Sequence, residues 1–446
     1  MTIELLDTET DVEPDQEPDQ VSTNDQMGAY TEAATSGLYA KQSGLVGKYD
    51  NVRRLWEDEI TRLFLRPHLE RLIERKRSRM QRVRIMDLGC GSADGYELLA
   101  GVRQRDADLR GFEVALLASS MLGCYKGLEL NEELIAQAQS IYGQNSKLVF
   151  EQADFSHGLP LAENEKPYDL YFTSYGTCSH HNDDETFIRL LAEMASRTEE
   201  YCVIVCDWLG RYSYEWQSLW TNDLSQNRNM DYVVSYIYEK EEREQRRDEL
   251  QHLCLRLISR QEAEGMVAEA SQRAGVEIKP LQYFDRSVFT GRHMDTADYN
   301  RHAQPLRQAV NSLHEANVRT DPTSLLVDYI PKPGFEFLND YFEHLQMCWN
   351  ALVLYVDDLM DVYDVQARKF TCEPPSVPAS YPPALREMMD RMRAVVEGVG
   401  WLSLGLPREN IIEPQLGYAL RHLEMNLQQG LGCAHSLVGV FEVNKP

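Results

Sequence analysis

The 446-residue chain has no apolar run approaching the roughly 20 residues that a helix needs to cross a bilayer, so no helical membrane span is expected. It also lacks any C-x-x-C pair. Its nine cysteines are scattered, and Cys90, Cys202, Cys206 and Cys254 fall in apolar, strand-like segments. Such usage suits reduced core thiols in a cytoplasm, and no ligand spacing supports a cysteine metal site. Positive charge is scarce, with 45 Lys and Arg against 71 Asp and Glu and a formal net charge of −26. A surface of that sign repels phosphate backbones and gains nothing from counterion release, so neither nucleic acid nor anionic membrane is an expected partner. Residues 1–27 hold nine acids and no Lys or Arg, and the rest of the chain keeps a charge of −17 without them. A stretch such as "DVEPDQEPDQ" buries too little apolar surface to offset its ordering entropy, so 1–27 reads as a disordered acidic tail, and its acidity is wrong for a signal or transit peptide.

What is present is a folded-protein composition, 43% hydrophobic, long enough for two or three domains or for one domain with large additions. From Tyr49 the apolar positions Val52, Leu55, Trp56, Ile60, Leu63 and Leu65 fall close to helical spacing, with a break expected near Pro67. Strands then alternate with helices: "RVRIMDL", "YKGLEL", "KLVFEQADF", "YDLYFTSYG" and "YCVIVCDWL" are near-continuously apolar. They predict a parallel sheet covered by helices on both faces. Asn131 and Gly143 bound one helix, and Ser259 with Glu262 at capping-box spacing opens another that Gly275 stops. An aromatic and charged excursion, 208–249, interrupts the alternation above the sheet. The core is expected to span 28–295, followed by a helical extension at 296–372 and, past the Pro-rich connector "EPPSVPASYPPALR", a C-terminal region at 373–446.

The stretch "IMDLGCGSADG" carries the chemistry. A glycine-rich turn between a first strand and a helix offers free backbone N–H groups to a ligand, which alone is a weak signal. Asp87, two residues before Gly89, would oppose a pyrophosphate but suits a cationic sulfonium nucleoside. Glu129 ends the second strand, where an acid can accept hydrogen bonds from ribose hydroxyls. It lies 42 residues after Asp87, so "RQRDADLRGFEVALLASSMLG" is read as an insertion. Asp154 and Phe155 follow the third strand and suit an adenine amino group and ring.

Together these motifs resemble the class I S-adenosylmethionine-dependent methyltransferases, of the small-molecule type, over roughly Tyr49 to Thr296. The resemblance implies a Rossmann-like, seven-stranded, mostly parallel sheet with helices on both faces, its last two strands, here the segments near 250 and 279, forming an antiparallel edge pair. It implies S-adenosylmethionine as cofactor: Gly89 and Gly91 near the methionine moiety, Glu129 and the adjoining Leu130 at the ribose, Asp154 and Phe155 at the adenine, Ser174 and Tyr175 near the donor methyl, and a helix at Lys48 to Arg54 closing over the cofactor.

Methyl transfer to a hydroxyl needs a base, and His180, His181 and Asp207 are the candidates, each also readable as a structural loop residue. Thr173 and Ser174 stand where metal-dependent relatives carry an acid, so metal independence is expected. No N/D-P-P-Y/F motif follows the fourth strand, which disfavours exocyclic base amines and glutamine amides as acceptors. The excursion's rings, Tyr212, Tyr214 and Trp216 among them, suit either a flat small-molecule substrate or the core of a cap. The acids in "DDLMD", Asp357, Asp358 and Asp361, have the spacing of a magnesium-diphosphate motif but read as a solvated helix face. The expected function is thus methylation of oxygen or nitrogen on a small molecule. The alternatives are a non-catalytic scaffold on the same fold and a protein or peptide methyltransferase, and a homodimer is compatible with the sequence.

Overall fold

The computed structural model describes residues 30–31, 34–35, 49–106, 111–162, 164–181, 183–234, 245, 250–291, 299–402 and 405–445. The expected tail, 1–27, lies outside them, as do most of the 235–249 part of the excursion and Lys48, whereas the rest of the expected Lys48 to Arg54 helix is described and is helical from Asn51. No helix among the described residues is long and apolar enough to cross a membrane.

Nine strands form one sheet. They are β1 (Val83–Leu88), β2 (Leu122–Glu129), β3 (Leu148–Gln152), β4 (Leu170–Phe172), β5 (Tyr201–Gly210), β6 (Asn229–Val233), β7 (His252–Ile258), β8 (Ile278–Arg286) and β9 (Ser436–Asn444). The main path runs β8-β9-β5-β4-β1-β2-β3. β1 pairs in parallel with β2 and β4, β2 with β3, and β4 with β5. The path therefore reverses beside β1, and crossovers to β2 and β4 leave in opposite directions. Such a point opens a crevice at the carboxyl ends of the strands. β1, β4 and β5 are buried along nearly their whole length, as strands covered on both faces must be.

Local signals form the elements as expected. Asn131 caps α3 (Glu132–Tyr142) by accepting from the N–H groups of Glu133 and Leu134, and Ser259 and Glu262 close a reciprocal capping box at α5 (Arg260–Ala274), which ends on Gly275 at φ +63°. α1 (Asp58–Ser78), however, runs through Pro67 without a break. Pro67 is exposed, so its ring disturbs no packed face and the lost hydrogen bond falls on the solvent side of a helix held by its buried face. The predicted insertion is an antiparallel hairpin, Arg103–Asp106 with Phe112–Ala115, standing off the sheet.

The larger correction concerns the end of the sheet. The segments near 250 and 279 do not pair with each other. β8 pairs instead with β9, which lies antiparallel between β8 and β5. β7 joins the tip of β5 at Leu209–Gly210 and forms a hairpin-like pair with β6. The physical reason is in β9 itself. "SLVGVFEV" is buried at all eight positions, so it needs cover on both faces and both edges, whereas an edge strand would expose half of them. The expected C-terminal region, 373–446, thus contributes an interior strand of the sheet through Ser436–Asn444.

The remaining described chain is mainly helical, apart from a short strand pair, Tyr363–Asp364 with Lys369–Phe370: α6 (Leu306–Ser312), α7 (Glu336–Val362), α8 (Pro383–Val399) and α9 (Glu413–Leu427), with α2 (Asp94–Ala100) and α4 (Asp184–Arg197) belonging to the sheet layers. The long α7 buries Phe342, Leu345, Trp349, Leu352 and Val356, and α8 and α9 supply the surface that this stripe requires. Its far side carries Asp358 and Asp361, exposed to solvent.

Candidate active site

The turn after β1 is built by backbone geometry. Gly89 and Gly91 have φ of +71° and +55°, a region that other residues enter only under strain. The N–H groups of Gly89 and Cys90 both donate to the Leu128 carbonyl, which ties the turn to β2. A Cβ on Gly89 would lie 2.5 Å from the Thr177 side chain, so the turn also touches the loop after β4. The glycine turn after β1 and the loop after β4 therefore lie side by side at this point of the sheet.

Asp87 is fully buried at the end of β1, and its Oδ2 accepts from the Tyr125 hydroxyl. Its Oδ1 has no hydrogen-bond partner among the described residues. Burial, against the Tyr125 bond and reinforced by Asp94 and Glu129, pushes its pKa up to about 8. Gly95, at the start of α2, abuts the same carboxylate: a Cβ there would meet Asp87 Oδ2 at 2.0 Å. Gly95→Ala is therefore expected to displace Asp87 and to lower stability by about 1–3 kcal/mol, the usual range for overpacking, read as a lower urea midpoint at unchanged m-value.

Glu129 holds the turn from the β2 side. Its Oε2 accepts from Gly91 N at 3.0 Å and its Oε1 from Leu130 N and Asn131 N at 2.9 and 3.1 Å. Asp154 caps the loop after β3 by accepting from Ser156 N at 2.8 Å. Burial works to raise its pKa, but the Ser156 bonds and the nearby His157 and His181 prevail and hold it below the carboxylate range. Phe155 lies edge-on to His181 at 5.7 Å, and His181 also faces Phe187. Burial pushes His181 down to about 4, so its ring is neutral. His180 ends a one-turn 3₁₀ helix, Thr177–His180, with Nε2 3.2 Å from the Tyr30 hydroxyl. Ser174 is buried, and its carbonyl accepts from the N–H and hydroxyl of Thr177.

At the ends of β4, β5 and β8 the structure adds a network that sequence did not suggest. Tyr175, strained at φ +58°, donates its N–H to Asp207 Oδ2 at 2.7 Å and its hydroxyl to Asp58 Oδ1 at 2.9 Å. The Arg53 guanidinium lies 3.5 Å over its ring. Asp207 also pairs with Arg286 at 2.8 Å, both side chains being fully buried, and Arg286 reaches the hydroxyls of Thr61 and Ser436. Asp207 is thus committed to an ion pair rather than poised as a mobile base. Arg53, 1% exposed in the π-helical turn Arg53–Glu57, pairs with Asp58 and keeps an Nη1 without a hydrogen-bond partner among the described residues. His435 stands beside this network: its Nδ1 is 2.6 Å from Glu215 Oε2, and its backbone N–H donates to Ser287, the residue after Arg286. Neither Arg53, Arg286 nor His435 sits in a motif, and each is legible only once β8, β9 and the N-terminal turn have been placed side by side.

The rings expected at a substrate are used in packing. Trp216 is 1% exposed and donates its indole N–H to the Gly210 carbonyl. Tyr214 packs on Tyr329 and Phe342 of the helical part, and the half-buried Tyr212 meets Trp220 edge-on. Of the two uses the sequence left open, the placement favours the core of a cap. Among the described residues no group of three or more His, Cys, Asp and Glu is arranged to hold a metal ion.

No family model matches the sequence, and no curated protein does. Among solved structures the chain is similar to an S-adenosylmethionine-dependent methyltransferase from Clostridium acetobutylicum, at 14% identity over 49% of this chain and 83% of that one, with a TM-score of 0.30. It is also similar to the magnesium protoporphyrin IX methyltransferase of Synechocystis with bound SAH, at 10% identity over 59% and 91%, with a TM-score of 0.32. A third is the amino pentose methyltransferase of Micromonospora echinaspora with bound SAM, at 14% identity over 51% and 88%, with a TM-score of 0.28.

Proposed function

We propose that the chain is an S-adenosylmethionine-dependent methyltransferase acting, without a metal, on oxygen or nitrogen of a small molecule. The observation that carries this reading is the buried Asp87, with an unpartnered Oδ1, beside a positive-φ glycine turn at the sheet's reversal point. A buried carboxylate with an orphan oxygen calls for a donor or a cation. Arg53 Nη1, likewise orphaned and coupled electrostatically to Asp94 of the same turn, calls for an anion. An amino-acid portion with an ammonium, a carboxylate and a sulfonium answers both.

When bound, the cofactor supplies an electrophilic methyl on sulfur. The chain's part is to position and to move a proton. Asp87 and Arg53 orient the methionine portion, Glu129 fixes the turn beneath the ribose, and Asp154 with Phe155 faces the adenine. His180 serves as the base toward the acceptor, since His181, held near 4, is a poor proton acceptor at neutral pH and Asp207 is ion-paired. Asp207 then acts as a positioning residue for Tyr175.

Calorimetry with S-adenosylmethionine on folded protein tests the reading, and absence of heat at high micromolar concentration would overturn it. The pH profile adds a sharper signature. Asp87 titrates near 8, above its unfolded value, so its protonated form is favoured in the ligand-free fold and its stabilising contribution is lost as pH rises through about 8. A cation binds the ionised form. Affinity is therefore expected to rise by up to about tenfold per pH unit from 6 to 8, then level, and to be flat in Asp87→Asn.

A further inference from the structure

The acidity of the chain is uneven, and one pole of the sheet is basic. Four segments meet where β1, β4 and β5 begin and β9 ends: 71–84, 166–169, 196–200 and 442–445. Ion pairs join Lys76 to Asp169, Arg79 to Glu200 and Arg71 to Glu442, while Arg84 donates to the Pro167 carbonyl, Arg75 to Asn444 and Lys445 to the Ser196 carbonyl. Together the segments hold ten Lys and Arg against five Asp and Glu, in a chain whose net charge is −26. Three of those acids are taken by the pairs just named. Arg77, Arg82, Lys166 and Arg197 are exposed and pair with no carboxylate among the described residues.

The amino-terminal sequence is complementary to this surface. Asp7, Glu9, Asp11, Glu13, Asp15, Glu17 and Asp19 occupy seven successive odd positions, and 1–27 contains no Lys or Arg to neutralise them. In an extended chain a period of two puts every carboxylate on one side, about 6.6 Å from the next. Screening confines attraction between exposed charges to about 8 Å at physiological salt, so the acids gain from a cation only in near contact. The chain is long enough to make that contact. Tyr30 lies at the opposite pole, its hydroxyl 3.2 Å from His180 Nε2 after β4, and Thr31 meets Asn131 after β2. The seven acids precede Tyr30 by 11 to 23 residues, an extended reach of roughly 36–80 Å. The ten residues of β5 span only about 33 Å.

We infer that the Asp7–Asp19 segment docks within its own molecule on the basic pole around Arg77, Arg79 and Arg82. It serves there as a built-in counter-charge on a surface that a polyanion would otherwise use. A tether of this length holds the acids beside the arginines at an effective concentration on the order of millimolar, which favours the chain's own segment over that of a second copy.

Photocrosslinking of the full chain tests the inference. With Gln16→p-benzoylphenylalanine at about 0.1 M salt, crosslinks are expected within one molecule to the segments 71–84, 166–169, 196–200 or 442–445. Arg77→Ser, Arg79→Ser and Arg82→Ser combined, all at exposed positions, should lower the yield at least about fivefold, as should about 0.5 M sodium chloride. Heparin supplies an independent reading. A full chain with the seven acids changed to their amides should bind it at least about tenfold more tightly than the native chain, and the gain should vanish when the three arginines are changed as well. Crosslinks that map elsewhere or join two molecules, a yield unchanged without the arginines, or a heparin gain that is absent or survives their loss would each overturn the proposal.

Discussion

Deletion of residues 436–446 is expected to leave no cooperatively folded protein. The segment looks dispensable by position, being the last eleven residues of the chain. In the fold it is β9, hydrogen-bonded to β8 along one edge and to β5 along the other. Leu437, Val438, Val440, Phe441 and Val443 are each no more than 1% exposed. Burying five such side chains is worth roughly 1.5–3 kcal/mol apiece, so their sum approaches or exceeds a whole domain's stability of about 5–15 kcal/mol. Their loss also strips partners from the facing edges of β5 and β8, and the deletion removes the Ser436 hydroxyl that accepts from Arg286. The measurement is circular dichroism with thermal and urea unfolding of the truncated chain. Adding a peptide of residues 436–446 in trans should restore part of the transition. A truncated protein with an unchanged melting curve would show that β9 is an accessory strand and that the sheet closes without it.

The same strand marks the limit of what sequence makes legible. Caps are local: Asn131 and Ser259 with Glu262 are satisfied by residues within a few positions of themselves, and Gly89 and Gly91 announce a turn by residue type alone, although their N–H groups bond Leu128 and Glu129 across the sheet. The order β3-β2-β1-β4-β5 follows from strands and helices that alternate in a regular way. The position of β9 does not, because its partners are 150 or more residues earlier and the competing candidate near 250 is apolar enough to take the same slot. What excludes that candidate is Arg256, buried in ion pairs with Asp184 and Glu262, an arrangement that no periodicity reveals. The aromatic excursion illustrates another limit. Sequence shows ring surface, but only the packing of Trp216 and Tyr214 shows that this surface is turned toward the protein itself. Arg53, Arg286 and His435 were invisible for a third reason, since an isolated charged or imidazole side chain acquires a role only from the groups brought against it.

Replacing Arg286 with methionine should cost about 3–5 kcal/mol, the range for removing one member of a fully buried ion pair. Arg286 and Asp207 are 1% and 2% exposed in their side chains and 2.8 Å apart. Methionine fills much of the volume but leaves Asp207 with its Tyr175 N–H bond alone, and with Oδ1 already lacking a hydrogen-bond partner among the described residues, so a nearly naked carboxylate remains in the core. The cost therefore belongs mainly to the stranded charge and not to lost attraction. That distinction has a consequence that a double-mutant cycle can read. Asp207→Asn in the Arg286→Met background removes the charge while keeping an oxygen for Tyr175 N, so the double variant should recover more than half of the loss. Urea unfolding of the two single variants and the double variant supplies all three numbers. A loss below 1 kcal/mol for Arg286→Met, or no recovery in the double variant, would mean that water or rearranged neighbours satisfy Asp207, and the tight network that holds Tyr175 at φ +58° beside the crevice would have to be redrawn.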